Sequence, residues 1–121
     1  MSAVREMGRV RGDKVETSSN FIEVLDESAL PENEMRIVKV QGRLIALMKC
    51  NGKIHALGDT CPHLGGSLGK GVLKDGNVIC PRHHWTFDLE TGEVVMGVPG
   101  EKVPVYPVKV ENEKILLKWP G

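Results

Sequence analysis

A chain of 121 residues, 40% of them apolar, has material for one modest hydrophobic core and not for two, so a single domain is expected. Sixteen Lys and Arg balance sixteen Asp and Glu, which leaves no long-range field to draw in nucleic acid, and no apolar run approaches the roughly 18 residues needed to span a bilayer. Met1 to Gly8 lacks the apolar segment of a signal peptide, and three cysteines are too few and too odd in number for an extracellular disulfide framework, so a cytoplasmic location with reduced thiols is the expectation.

In chain order, residues 1–20 mix glycine, serine and alternating charges without an apolar period and read as a flexible or loosely packed arm. From residue 21 to 121 short apolar runs alternate with turn residues, the pattern of an all-β domain. Strands are expected at Phe21–Leu25, Arg36–Val40, Leu44–Met48 and Lys53–Leu57, with Gln41-Gly42 and Asn51-Gly52 as hairpin turns. Residues 26–34 offer at most a short helical turn, which Pro31 interrupts. This ladder delivers the chain to Asp59-Thr60-Cys61. Further strands are expected at Val78–Cys80, Trp85–Phe87, Val105–Val110 and Lys114–Trp119, the third demoted to an edge or broken by Pro107. The architecture predicted is a small antiparallel sandwich or partly closed barrel, with residues 59–88 as an excursion from it.

That excursion holds nearly all the metal-competent side chains, in two short loops. The first reads Cys61-Pro62-His63-Leu64-Gly65-Gly66 and the second Cys80-Pro81-Arg82-His83-His84-Trp85. Each opens on Cys-Pro and offers an imidazole two or three positions later, so each can present one thiolate and one imidazole to a shared centre. Ligand chemistry alone leaves Zn²⁺ and an iron–sulfur cluster both open. The order of donor types is more informative. Zinc fingers group their cysteines and their histidines separately, whereas here the types alternate, which makes sense if both cysteines close on one iron and both histidines on a second.

Cys61-x-His63, sixteen intervening residues, then Cys80-x-x-His83 resembles the Rieske [2Fe-2S] signature, and Cys61–Gly65, Phe87-Asp88 and Thr91-Gly92-Glu93 extend the likeness. With the closing Val105–Val110 segment, residues 21–119 are similar to the small soluble Rieske ferredoxins of bacterial ring-hydroxylating dioxygenases. The resemblance implies one [2Fe-2S] cluster per chain, with Cys61 and Cys80 on an inner iron and His63 and His83 on an outer iron near the surface. It implies a one-electron carrier, not an enzyme in itself, placed between an electron-donating reductase and an electron-accepting oxygenase or other oxidoreductase. The small subunit of an NAD(P)H-dependent nitrite reductase is the alternative within the same family, and a structural zinc protein the alternative outside it. The cytochrome-complex relatives carry a disulfide between the two loops at positions matched here by Gly66 and Arg82, and hydroxyls toward sulfur where this chain has Trp85 and Phe87. Fewer donors toward sulfur imply a potential in the lower part of the range of roughly −150 to +300 mV known for Rieske centres.

His84 stands where such proteins commonly have Gly, leaving ligation, a hydrogen bond near the cluster or a solvent-facing side chain open for it. Gly65, Gly66, Gly69 and Gly71 ease tight turns at the first loop, although plain loop flexibility serves equally well for the last two. Val98-Pro99-Gly100 is a third covering loop by the same resemblance. Cys50 reads as a small buried hydrophobe, His55 as a surface or hydrogen-bonded strand residue, Trp85 as packing under the second loop and Trp119 as an anchor of the last strand.

Overall fold

The structure, a computed structural model, describes residues 21–62 and 65–119, so the arm expected over residues 1–20 lies outside the described residues. Eleven strands are found there: β1 (Phe21–Asp26), β2 (Met35–Val40), β3 (Arg43–Cys50), β4 (Lys53–Gly58), β5 (Val72–Lys74), β6 (Asn77–Ile79), β7 (Thr86–Asp88), β8 (Val94–Met96), β9 (Val105–Tyr106), β10 (Val108–Glu111) and β11 (Lys114–Lys118). Single 3₁₀ turns follow β1 at Glu27–Ala29 and precede β5 at Leu68–Lys70.

All pairings are antiparallel, and the strands form three sheets in the orders β9-β4-β3-β2, β10-β11-β1 and β5-β6-β7-β8. The expected hairpins at Gln41-Gly42 and Asn51-Gly52 are present, with both residues of each turn at positive φ, the geometry whose twist matches the flanking strands. Asp75-Gly76 makes a third such turn, and Asn112-Glu113 a fourth in which Glu113 takes φ 66° without being glycine. Pro107 breaks Val105–Val110 into two strands that belong to different sheets, since it cannot donate to either ladder.

The expectation of a single core gives way to two buried clusters on opposite faces of one sheet. Along β3, Ile45 and Leu47 point to a lower core with Ala56, Tyr106, Ile115, Leu117 and Trp119, while Ala46 and Met48 point to an upper core with Leu57, Cys61, Leu68, Val78, Cys80, Phe87 and Leu89. All four of these β3 residues are fully buried, so the strand reads as a continuous apolar run, not as a half-exposed alternation. The lower core fills a two-sheet sandwich. The β5–β8 sheet and its loops cover the other face. Tyr106 and Trp119 stack with ring centroids 5.7 Å apart, and the Arg43 guanidinium lies 5.9 Å from the Trp119 ring, which anchors the last strand as expected.

Lys53, His55 and Glu90 tie the central sheet to the upper layer. Lys53 Nζ donates to both Glu90 carboxylate oxygens at 3.0 and 2.8 Å, and His55 Nε2 stands 4.0 Å from the same group. The His55 ring also hydrogen-bonds the backbone of Leu89, in keeping with a hydrogen-bonded strand residue. Burial holds its pKa below the ordinary value of 6.5, with Glu90 opposing that shift and Lys53 adding to it. The fold therefore favours neutral His55. Its contribution to stability is complete above the unfolded pKa near 6.5 and is lost as pH falls below that value toward the lowered folded one. The melting temperature is expected to drop between pH 7.5 and 5.5 by more in the native protein than in His55→Gln; equal slopes would contradict the assignment.

Candidate metal centre

The two cysteine loops are built on one hydrogen-bond plan. In the first, the Cys61 N–H donates to the Gly66 carbonyl at 2.8 Å and the Gly65 N–H donates to the Cys61 carbonyl at 3.1 Å. In the second, Cys80 N–H donates to Trp85 O at 2.7 Å and His84 N–H to Cys80 O at 3.1 Å. Each cysteine thus opens a tight turn closed by the residues four and five places on. The fourth place takes a left-handed backbone in both, Gly65 at φ 71° and His84 at φ 64°.

This equivalence accounts for His84. It holds the seat that Gly65 holds in the first loop, its N–H is spent on the turn and its side chain is exposed. A side chain in that conformation costs about 1 kcal/mol relative to glycine. His84→Gly is therefore expected to raise the melting temperature by a few degrees and to keep its full iron content. Loss of iron in that variant would instead make His84 a ligand.

The loops meet at Gly66. A Cβ there would lie 2.7 Å from Cys80 Sγ and 2.9 Å from Arg82 Cγ, so the absence of a side chain is what lets the second loop's thiol reach the first loop. Gly66 and Arg82, matched by the resemblance to disulfide positions, do lie side by side. Here they join the loops by packing instead.

Cys61 and Cys80 are each 1% exposed and belong to the upper core, whereas His83 is exposed at the surface. His63 lies outside the described residues. Among the described residues no three His, Cys, Asp or Glu side chains converge as ligands of one ion. What they do provide is two buried soft donors in the same core and an exposed histidine on the second loop, a donor set whose chemistry fits a diiron cluster with thiolate and imidazole ligands.

Neighbouring residues hold the loops. Trp85 is part-buried with its ring 6.4 Å from Phe87, and the Gly97 backbone lies flat against its indole, where a Cβ would approach Cδ2 to 2.7 Å. The Val98–Gly100 segment thereby starts alongside the second loop. Gly69 and Gly71 are close-packing sites, not sources of flexibility: a Cβ would come within 2.4 Å of Ile37 Cγ1 at the first and within 1.9 Å of the Ile79 carbonyl at the second. Cys50 is a half-buried thiol on the edge of the upper core, away from both loops in sequence and opposite Lys53 in register.

Sequence reasoning missed Asp59. It is 2% exposed, the lone buried charged residue among those described, and accepts hydrogen bonds from Ser67 Oγ at 2.7 Å and Gly69 N at 2.6 Å. Its position two residues before Cys61 was the available signal.

Residues 20–107 match the Rieske [2Fe-2S] domain. The ferredoxin component of the naphthalene 1,2-dioxygenase/salicylate 5-hydroxylase systems of Ralstonia sp. is 33% identical over 101 residues, covering 84% of this chain and 97% of that protein. Apoptosis-inducing factor 3 of Mus musculus is 40% identical over 90 residues, which cover 74% of this chain but 15% of that protein. The fold is shared with the ferredoxin of carbazole 1,9a-dioxygenase from Nocardioides aromaticivorans IC177, with a TM-score of 0.77, 24% identity and coverage of 83% and 98% of the two chains. Loop plan, buried thiol pair and these matches agree, and the chain belongs to the Rieske [2Fe-2S] family, alongside the small ferredoxin components of dioxygenase systems.

Proposed function

We propose that this protein is a one-electron carrier that receives electrons from a reductase and delivers them to an oxygenase, with residues 21–121 as the cluster domain and the cytoplasm as its place of work. In this reading Cys61 and Cys80 hold the inner iron and His63 and His83 the outer one. When bound, the [2Fe-2S] cluster supplies a one-electron couple, and its two neutral imidazole ligands raise the potential relative to a four-thiolate cluster.

The observation that carries the reading is the pair of like-built loops that each bury one thiol in the same core while leaving His83 at the surface. The protein's own part is to keep water from the sulfur side and to present an imidazole edge where a partner can approach. A carrier needs that edge and a transient docking surface, with no substrate cavity beside it. A cleft of about 500 Å³ is lined by residues such as Asp26, Glu27, Lys49 and Lys114 and by none of the described residues of either loop. Cytoplasmic placement is supported by the sparse, odd cysteine set, and no helix among the described residues is long and apolar enough to cross a membrane.

The test is iron and acid-labile sulfide analysis with low-temperature EPR of the reduced protein, followed by reconstitution with a flavin-dependent reductase and a ring-hydroxylating oxygenase. A [2Fe-2S] stoichiometry, a rhombic reduced signal and turnover that depends on this chain are expected. A colourless protein holding one zinc would end the reading.

A further inference from the structure

The first cysteine loop is a hairpin closed in three steps. Nearest the tip, Cys61 N–H bonds Gly66 O; next, Thr60 and Ser67 form a bridge; at the base, everything converges on Asp59. The Asp59 backbone N–H donates to Leu44 O of β3 at 3.0 Å, and its carbonyl accepts from Leu68 N–H at 2.8 Å. Its two carboxylate oxygens take separate donors, Oδ2 from the Ser67 hydroxyl and Oδ1 from the Gly69 N–H. One residue thus links the central sheet, both arms of the loop and the 3₁₀ turn that follows it. Gly69 must lack a side chain for this, since a Cβ would sit 2.9 Å from Asp59 Oδ1.

Holding a loop base does not require a charge. A buried carboxylate costs several kcal/mol of lost hydration, which two hydrogen bonds offset only in part, and an uncharged amide fits the same space. Among the described residues no Lys or Arg pairs with Asp59. Among the described residues its carboxylate thus has hydrogen-bond donors and no cationic partner, and it lies two residues from Cys61 in a poorly polarisable interior where Coulomb forces reach further than in water.

We propose that Asp59 is a positioning residue for the first cluster loop whose buried charge also lowers the reduction potential of the centre. The inference rests on Cys61 and Cys80 holding the cluster. Adding an electron beside a fixed negative charge is disfavoured, so the carboxylate stabilises the oxidised state. Ser67 moderates the effect, because its hydroxyl disperses charge from Oδ2.

Two variants separate the charge from the scaffold. Asp59→Asn keeps the shape and an acceptor for Gly69 while removing the charge. Ser67→Ala keeps the charge while removing one donor. Melting temperature and reduction potential are measured on each loaded protein at pH 7 by thermal unfolding and spectroelectrochemistry. Ser67→Ala is expected to melt at lower temperature than the native chain and Asp59→Asn at much the same temperature, whereas the potentials are expected to move apart: upward for Asp59→Asn and downward for Ser67→Ala. A merely structural residue would move both potentials the same way or neither. An unchanged or lowered potential in Asp59→Asn overturns the proposal. If that variant does not take up the cluster, Ser67→Ala decides alone, a fall supporting the proposal and an unchanged or raised value overturning it. A native protein that holds no [2Fe-2S] cluster would defeat the functional reading itself, a result distinct from either potential.

Discussion

Cys80→Ala is expected to purify without a cluster, and Cys50→Ala with its iron and sulfide intact. The two thiols differ in setting more than in exposure. Cys80 opens the second loop with Sγ packed against Gly66 of the first. Cys50 ends β3 across from Lys53. With the proposed ligand set, alanine at position 80 removes one of the two thiolates of the inner iron, and the loss is greater than packing alone predicts: removing one buried sulfur costs about 1 kcal/mol, but the free energy of binding the metal centre is also folding free energy of the loops it joins. Iron and sulfide assays with visible spectra read the outcome, and full iron in Cys80→Ala would remove that residue from the ligand set.

Gly71→Ala is expected to destabilise the fold most among single-methyl additions. The new Cβ would fall 1.9 Å from the Ile79 carbonyl oxygen and 3.3 Å from that of Leu68, and both obstacles are backbone, which cannot swing aside. Ile79 closes β6 immediately before Cys80, so relief of the clash moves the second cysteine loop as well as the sheet. The cost is expected at or above the upper end of the roughly 1–3 kcal/mol typical of overpacking, a fall of about 12 °C or more in melting temperature. Gly42→Ala is the control. Nothing lies within 4 Å of its Cβ, and only its φ of 84° resists substitution, at about 1–2 kcal/mol. Thermal unfolding of the pair reads the difference; equal losses would mean that the Ile79 contact relaxes freely.

The ladder leading to Cys61 was legible because its signals are local. Gln41-Gly42 and Asn51-Gly52 need positive φ and have residues that accept it, and the runs between them are long enough to show a period. The two loops were legible for the same reason, donor types at fixed short spacing. By contrast, β5 and β8 are three residues each with mostly exposed faces, too short for any period to register. The second core went unseen because the Ile45–Met48 run looks the same whether one face or both are covered. Asp59 follows Gly58 and precedes Thr60, which reads as turn chemistry. Its partners are eight and ten residues away, and only the folded loop brings them to it. His84 likewise had several readings until its equivalence to Gly65 in backbone geometry became visible.

The lower core contains no residue between Asp59 and Val103, while the upper one contains both cysteines. Iron loss therefore loosens the lid and spares the foundation: an emptied chain retains a preformed platform on which the arms can close again, and refilling need not wait for refolding from scratch. Hydrogen exchange of the emptied protein would show this as rapid labelling of the β5–β8 layer over protected amides at Ile45, Leu47, Ile115 and Leu117.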